Sequence, residues 1–316
     1  MKVAFTFPGQ GSQSVGMGKA LYDAFDVARE VFAEVDDALG QDLTRVIFEG
    51  PEENLTMTAN AQPALMAVSV AMMRVLEKEA GIDLKLHAAC VAGHSLGEYS
   101  ALAAAGSLTI ADTARLLRIR GNAMQAAVPA GQGAMAALLG LDFDAAAKVA
   151  AEAAQGEVCE AANDNGGGQV VISGAKSAIE RSLEIAKAHG ARRAVLLPVS
   201  APFHCSLMKP AADAMAEALA KVTIKAPIVP LVANVTAQPG SDPEAIRANL
   251  VKQVTGTVRW RETVEAMSKS GISLFVEVGS GKVLTGLVKR IAAEAEGLAV
   301  GNPDDIAAIK ARIFGQ

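Results

Sequence analysis

Two hydrophobic periods take turns along this chain. Val3–Phe7 is a short apolar run between Lys2 and Pro8-Gly9, and it predicts a first strand. From about Met17 to Leu39 the apolar residues recur at helical spacing. Pro63–Ala80 predicts a helix, with Gly81 suited to its C-cap. Ala89–Gly93 predicts a short buried strand that runs directly into a helix at Gly97–Ala105. Thr109–Ala127 predicts another helix, with Asp112 in its first turn, where a carboxylate suits the helix dipole. Beyond residue 200 come helix Lys209–Lys221, strand Ile228–Ala233, helices Asp242–Gln253 and Arg261–Lys269, and strand Ser273–Val278. A last long helix is expected to start near Lys282. Short strands alternating with amphipathic helices predict an α/β fold around a mainly parallel sheet covered on both faces.

The middle of the chain departs from that rhythm. Met135–Gly140, Glu157–Ala161, Gln169–Ser173 and Arg192–Pro198 read as strands, and Phe143–Gln155 and Ser177–His189 read as helices. The resulting order, βαββαβ, is that of the split ferredoxin-like unit. Val128-Pro129-Ala130-Gly131 and Pro198 flank it as candidate hinges. The expected organisation is a larger, discontinuous α/β domain at 1–128 and 199–316, with a ferredoxin-like subdomain inserted at 129–198.

Composition narrows the function. The 316 residues are enough to bury a sizeable core. No apolar run approaches the ~20 residues of a membrane helix, and the apolar segment after Lys2 is too short for a secretory signal. Three cysteines, Cys90, Cys159 and Cys205, cannot all pair with one another, and none sits in a Cys-x-x-Cys spacing. A reduced, cytoplasmic setting is the expectation. A formal net charge of −5 argues against nucleic acid as a partner.

Gly93-His94-Ser95-Leu96-Gly97 fits Gly-x-Ser-x-Gly, with a strand running in and a helix leaving, as a nucleophile elbow requires. Ser95 Oγ would be exposed at the helix N-terminus, where the Leu96 amide can face an oxyanion. The plainer alternative is a strand–helix turn with a capping serine. Among the four histidines, His94 adjoins the serine and reads as support for the elbow, while His87 and His189 sit in a loop and at a helix end. His204, in the loop after the last strand of the insert, is the best candidate base. Cys205 has no elbow of its own, and an inert buried thiol is the simpler reading. With no second Cys or His at ligand spacing, no metal site is expected. The glycines after the first strand, Gly9-Gln10-Gly11, invite a dinucleotide reading, but Ser14 stands at the third glycine position. They would instead let the backbone approach another loop closely, and the Gln10 amide there is a candidate second oxyanion donor.

Taken together, several segments are distinctive: Phe7-Pro8-Gly9-Gln10-Gly11-Ser12-Gln13, Gly93 through Ser100, Arg120-Gly121-Asn122-Ala123-Met124-Gln125, Pro202-Phe203-His204-Cys205 and Glu277 through Leu284. With them the chain closely resembles the malonyl-CoA:acyl carrier protein transacylases of bacterial fatty-acid synthesis, almost end to end. The resemblance implies a ping-pong transfer of malonyl from coenzyme A to Ser95, then to the phosphopantetheine thiol of acyl carrier protein. It implies His204 as general base and acid, a main-chain carbonyl near Gln253 orienting the imidazole, and the Gln10 and Leu96 amides as oxyanion hole. It also implies that Arg120 binds the free carboxylate of the substrate, with the acyl-CoA thioester as substrate and no cofactor. On helix pattern alone, Arg120 would read as a solvated residue like Arg115 or Arg118. Phe203 stands where many bacterial members carry serine, which leaves tolerance of α-branched malonyl groups open. Asn163 and Asn165 are expected near the cleft. Lys289-Arg290, with Arg192-Arg193 in reserve, is the expected docking patch for the acidic carrier. A serine thioesterase or carboxylesterase is the competing enzyme class, since it uses the same elbow but usually adds an acidic third member. A non-catalytic scaffold that binds acyl carrier protein is the competing binding role.

Overall fold

The computed structural model describes residues 1–315. Its strands are β1 (Lys2–Phe7), β2 (Cys90–Gly93), β3 (Gly133–Leu139), β4 (Cys159–Asp164), β5 (Gln169–Ala175), β6 (Arg193–Leu196), β7 (Leu231–Val232), β8 (Pro239–Gly240), β9 (Ile272–Val278) and β10 (Glu296–Val300). They form two sheets. A six-stranded sheet has the order β10-β9-β1-β2-β7-β8, parallel throughout except for the antiparallel β7–β8 pair. A four-stranded antiparallel sheet has the order β4-β5-β3-β6. The chain is thus a mixed α/β fold with a mainly parallel main sheet.

The centre of the main sheet is apolar on both faces, as parallel strands under helices require. In β1 every residue after Lys2 is buried, and Phe5 and Phe7 are fully enclosed. Each such side chain is worth about 1.5–3 kcal/mol relative to exposure. Helix Thr58–Ala80 is buried along most of its length and packs against helices Asp26–Leu39 and Ile110–Ala126. It starts five residues before the expected Pro63, which lies inside it, and ends at Gly81 in a left-handed conformation, φ 69°.

Other boundaries shift for physical reasons. The helical spacing read from Met17 to Leu39 belongs to two helices, Lys19–Ala24 and Asp26–Leu39, with Phe25 extended between them. The strand expected at Ile228–Ala233 shrinks to Leu231–Val232, since Pro230 has no N–H to give a ladder. Among the described residues no single long helix follows Lys282. Helix Val283–Ile291 stops after nine residues, β10 adds an edge strand to the sheet, and helix Asp305–Phe314 ends the described chain.

The small sheet does not hang freely from its two connections. Asn163 of β4 pairs with Val258, and Val258 N–H donates to Ala162 O at 2.8 Å. Glu160 accepts hydrogen bonds from Ser206 N–H and Oγ, and Arg261 pairs with Asp164. One side of the small sheet is therefore fastened directly beside the loop that carries His204.

Candidate active site

The elbow is built by close backbone approach. Ser95 follows β2 with φ 53°, a left-handed conformation that costs a non-glycine residue about 1 kcal/mol or more. The glycines around it have no room for a side chain. A Cβ on Gly93 would lie 1.9 Å from the Gly97 carbonyl, and one on Gly97 would lie 2.2 Å from Phe7 O. The loop after β1 therefore lies directly on the elbow, and His94 N–H donates to Phe7 O at 3.0 Å. Asn234, after β7, holds both sides of the turn. Its Oδ1 accepts from Ser95 N–H at 2.8 Å, and its Nδ2 donates to Gly93 O at 2.7 Å.

Ser95, His204, Arg120 and Gln253 converge here. Ser95 Oγ is 2.7 Å from His204 Nε2. His204 Nδ1 lies 2.8 Å from Gln253 O. A carbonyl can only accept, so Nδ1 carries the proton and Nε2 is left as acceptor for the serine hydroxyl. His204 is 3% exposed. Burial first, and the charge of Arg120 second, push its pKa down to about 3, so it is neutral at neutral pH. Like Ser95, it has a left-handed backbone, φ 56°.

Arg120 is not on a solvated face. It is 1% exposed and donates from Nη1 to Gln62 Oε1 at 2.7 Å, and from Nη2 to Gln253 Oε1 at 2.8 Å and Ser95 Oγ at 3.1 Å. Its Nε–H has no partner among the described residues. Arg118, by contrast, is half-buried and bonds Asn60 and Gln41, and Arg115 reaches Ala38 O and Asp112 at the surface. The Leu96 and Gln10 amides donate to no protein group among the described residues. The Gln10 side chain is tied back to Thr58 Oγ1 at 3.2 Å.

The remaining expected residues fall in three places. His94 turns away from the serine, bonding Asn165 Oδ1 at 2.9 Å and packing near Trp260. Asn163 and Asn165 are buried where β4 meets the elbow. Phe203 is buried beside His204. Lys289 and Arg290 are exposed at the end of helix Val283–Ile291, outside the catalytic cluster. Cys205 is fully buried, its Sγ is 3.2 Å from Pro202 O, and burial pushes its pKa up to about 11, the reverse of an activated thiol. Among the described residues no three His, Cys, Asp or Glu side chains converge as metal ligands, and no helix is long and apolar enough to cross a membrane.

Three buried residues of the site escape sequence reasoning: Gln62, Asn234 and Glu98. Glu98 had a visible signal, as the one charged residue of a helix, Gly97–Ala104, whose other residues are apolar, small or aromatic.

The acyl transferase domain family matches residues 4–302 of the chain. The malonyl CoA-acyl carrier protein transacylase of Escherichia coli strain K12 is 49% identical over 305 residues, 96% of this chain and 97% of that one. Among solved structures, the acyl-carrier-protein-S-malonyltransferase of Bartonella henselae superposes with a TM-score of 0.97 at 58% identity, covering 100% of both chains. A malonyl-transacylase solved in complex with its type II PKS acyl-carrier protein superposes with a TM-score of 0.95 at 44% identity, again covering 100% of both.

Proposed function

Because this chain belongs to the acyl transferase family, we propose that it carries malonyl from malonyl-CoA to the phosphopantetheine thiol of acyl carrier protein through an ester on Ser95, supplying fatty-acid synthesis. The observation that carries the reading is the convergence of Ser95 Oγ, His204 Nε2 and Arg120 Nη2 within hydrogen-bond reach, with the arginine buried.

The reaction follows from the atoms. His204 Nε2 takes the hydroxyl proton as Ser95 Oγ attacks the thioester carbon. The Gln10 and Leu96 amides hold the oxyanion, and preorganised donors of this kind usually supply the largest single share of catalysis. Collapse of the intermediate breaks the C–S bond, and the Nε2 proton goes to the departing coenzyme A thiol. The carrier's thiol then repeats the sequence in reverse, losing its proton to Nε2 and attacking the ester. Exchange of one thioester for another is nearly balanced, so the enzyme needs a good nucleophile and a stabilised oxyanion and little driving force. Gln253 O orients His204 with a neutral acceptor in place of the acidic third member of a hydrolase. The aspartates between Ser95 and His204 lie elsewhere: Asp112 at Arg115, Asp142 capping a helix, Asp144 in that helix's first turn, and Asp164 at Arg261; Glu98, which is in the site, bonds Gln253 and Asn234 and not the imidazole. That favours transfer over hydrolysis. His94, Asn163 and Asn165 act behind the elbow. The coenzyme A thioester is a substrate, and the reaction as drawn uses no cofactor or metal.

For the architecture, we read residues 129–198 as a ferredoxin-like subdomain inserted into a hydrolase-like domain of 1–128 and 199–316. The strand order β4-β5-β3-β6 with two helices between strands supports the first reading, and the parallel sheet leading into the elbow supports the second. Three buried thiols without disulfides fit a cytoplasmic site of action.

Intact-mass measurement after mixing with malonyl-CoA, and separately with acetyl-CoA, tests the proposal. A malonyl ester should form, map to Ser95, persist in buffer until a thiol acceptor is added, and be absent in Ser95→Ala. Malonyl on Cys205 would overturn the assignment, and rapid loss of the ester to water would make the enzyme a hydrolase.

A further inference from the structure

We propose that Glu98 is a positioning residue for malonyl recognition: by accepting the Gln253 side-chain N–H, it fixes which end of that amide faces Arg120. The inference rests on the transferase reading above.

Gln253 touches all three groups of the site. Its main-chain oxygen meets His204 Nδ1, its Oε1 accepts from Arg120, and its Nε2 donates to Ser95 O at 2.9 Å. An amide side chain has one end that only accepts and one that only donates, so its orientation decides what Arg120 meets. Three acceptors surround Nε2: Glu98 Oε2 at 2.7 Å, Ser95 O at 2.9 Å and Asn234 Oδ1 at 3.2 Å. Only Glu98 can be charged, and charge-assisted hydrogen bonds are roughly twice as strong as neutral ones. Turned over, the amide would set its oxygen against that carboxylate and its NH2 against the donors of Arg120. The same carboxylate accepts Asn234 N–H at 3.3 Å, so it also supports the residue that clamps the elbow.

Glu98 is 1% exposed and lies in the first turn of the helix leaving the elbow. A buried carboxylate is costly unless it is hydrogen-bonded. Burial pushes its pKa up to about 7, and the hydrogen bonds from Gln253 and Asn234 and the nearby charge of Arg120 offset that only in part. The arginine is thus held at both ends, by Gln62 on Nη1 and by the Glu98–Gln253 pair on Nη2. That hold sets the fork a malonyl carboxylate must match. Acetyl has no carboxylate and should be indifferent to it.

The test compares Glu98→Ala and Glu98→Gln with wild type, using steady-state transfer from malonyl-CoA and acetyl-CoA and labelling of Ser95 by a neutral sulfonyl fluoride. In Glu98→Ala, malonyl kcat/KM should fall roughly 10- to 100-fold, the worth of a hydrogen bond to a charged group, mainly through KM. Acetyl transfer and sulfonyl fluoride labelling, which feel only the loss of support for Asn234, should fall much less than malonyl transfer. Glu98→Gln keeps an acceptor oxygen for Gln253 without the charge and should restore malonyl activity in part, to a level between wild type and Glu98→Ala. An unchanged malonyl-to-acetyl ratio in Glu98→Ala overturns the proposal, whether both activities persist or both collapse with the labelling. A Glu98→Gln as impaired as Glu98→Ala overturns it too. Failure of the wild type to form a malonyl ester would remove the transferase reading itself, a separate and recognisable result.

Discussion

Arg120 meets only neutral acceptors at hydrogen-bond distance in the resting site: Gln62, Gln253 and Ser95 Oγ. A malonyl carboxylate can take the unpartnered Nε–H together with an Nη2 hydrogen, the parallel fork that lysine cannot offer. In doing so it releases Ser95 Oγ from the arginine. Arg120→Ala should therefore lower malonyl kcat/KM by two orders of magnitude or more, since an unpaired buried charge costs about 3–5 kcal/mol. Acetyl transfer should be kept or improved. Parallel kinetics with the two acyl-CoAs decide it, and equal losses for both would leave Arg120 a purely structural residue. Residues differ in how legible they are from sequence. Ser95 can be read because its motif encodes a backbone turn. Arg120 cannot be told from Arg115 or Arg118 by helical spacing, since burial depends on helices Thr58–Ala80 and Pro243–Thr255 closing over it. Asn234 and Gln62 act through hydrogen bonds of one side-chain amide each, which leave no pattern in the chain.

The strand–turn–helix element converts those side chains into a site, and its dimensions are set by absent side chains. Gly97 lies beneath the Phe7 carbonyl, so the loop carrying Gln10 rests on the start of the helix whose first free amide is Leu96. Gly97→Ala should push the two loops apart, separating the Gln10 and Leu96 amides proposed as oxyanion donors. Acylation should fall about 10²–10³-fold, the usual effect of losing one donor, with about 1–3 kcal/mol of overpacking cost to stability. Stopped-flow acylation and thermal unfolding together test this, and near-normal acylation in a folded variant would mean the Gln10 loop is not part of the hole. Elements were legible where periodicity was long, as in helices Ile110–Ala126 and Lys209–Ala220. They were missed where pairing alone makes the structure. Strand β10 is five residues long and only its last residue is buried, so no alternation announces it. Helix Leu43–Glu49 ends against Gly50-Pro51 after two turns, too short to show a stripe.

Across the whole molecule, the two sheets bring together surface charges that the sequence keeps far apart. The chain is acidic overall, at −5, so docking of a carrier protein that is itself acidic would need a confined basic area. Lys289 and Arg290 end helix Val283–Ile291, and Arg290 Nη1 is 3.4 Å from Gln169 Oε1 at the start of β5. In the small sheet Leu139 pairs with Gln169 on one side and with Arg193 on the other. Two strand spacings, about 10 Å, therefore separate Arg193 from the residue that Arg290 touches, and the pairs Lys289-Arg290 and Arg192-Arg193 belong to one rim. The order βαββαβ was readable from the sequence, but this adjacency was not, because it depends on β4 being fastened to Val258 and Arg261. Rim charges act mainly on encounter and its salt dependence. Reversing Lys289 and Arg290 to glutamate should raise KM for the carrier several-fold at low salt, and less at high salt, where the Debye length shortens. Reversing Arg192 and Arg193 should do the same. The malonyl-CoA half-reaction should keep its rate in the Lys289-Arg290 variant, because acylation of Ser95 does not involve the carrier. Measuring both half-reactions at two salt concentrations separates the outcomes. A carrier KM equal to wild type in both variants would place docking on another face, and a loss in both half-reactions would mark a damaged fold instead of a lost contact.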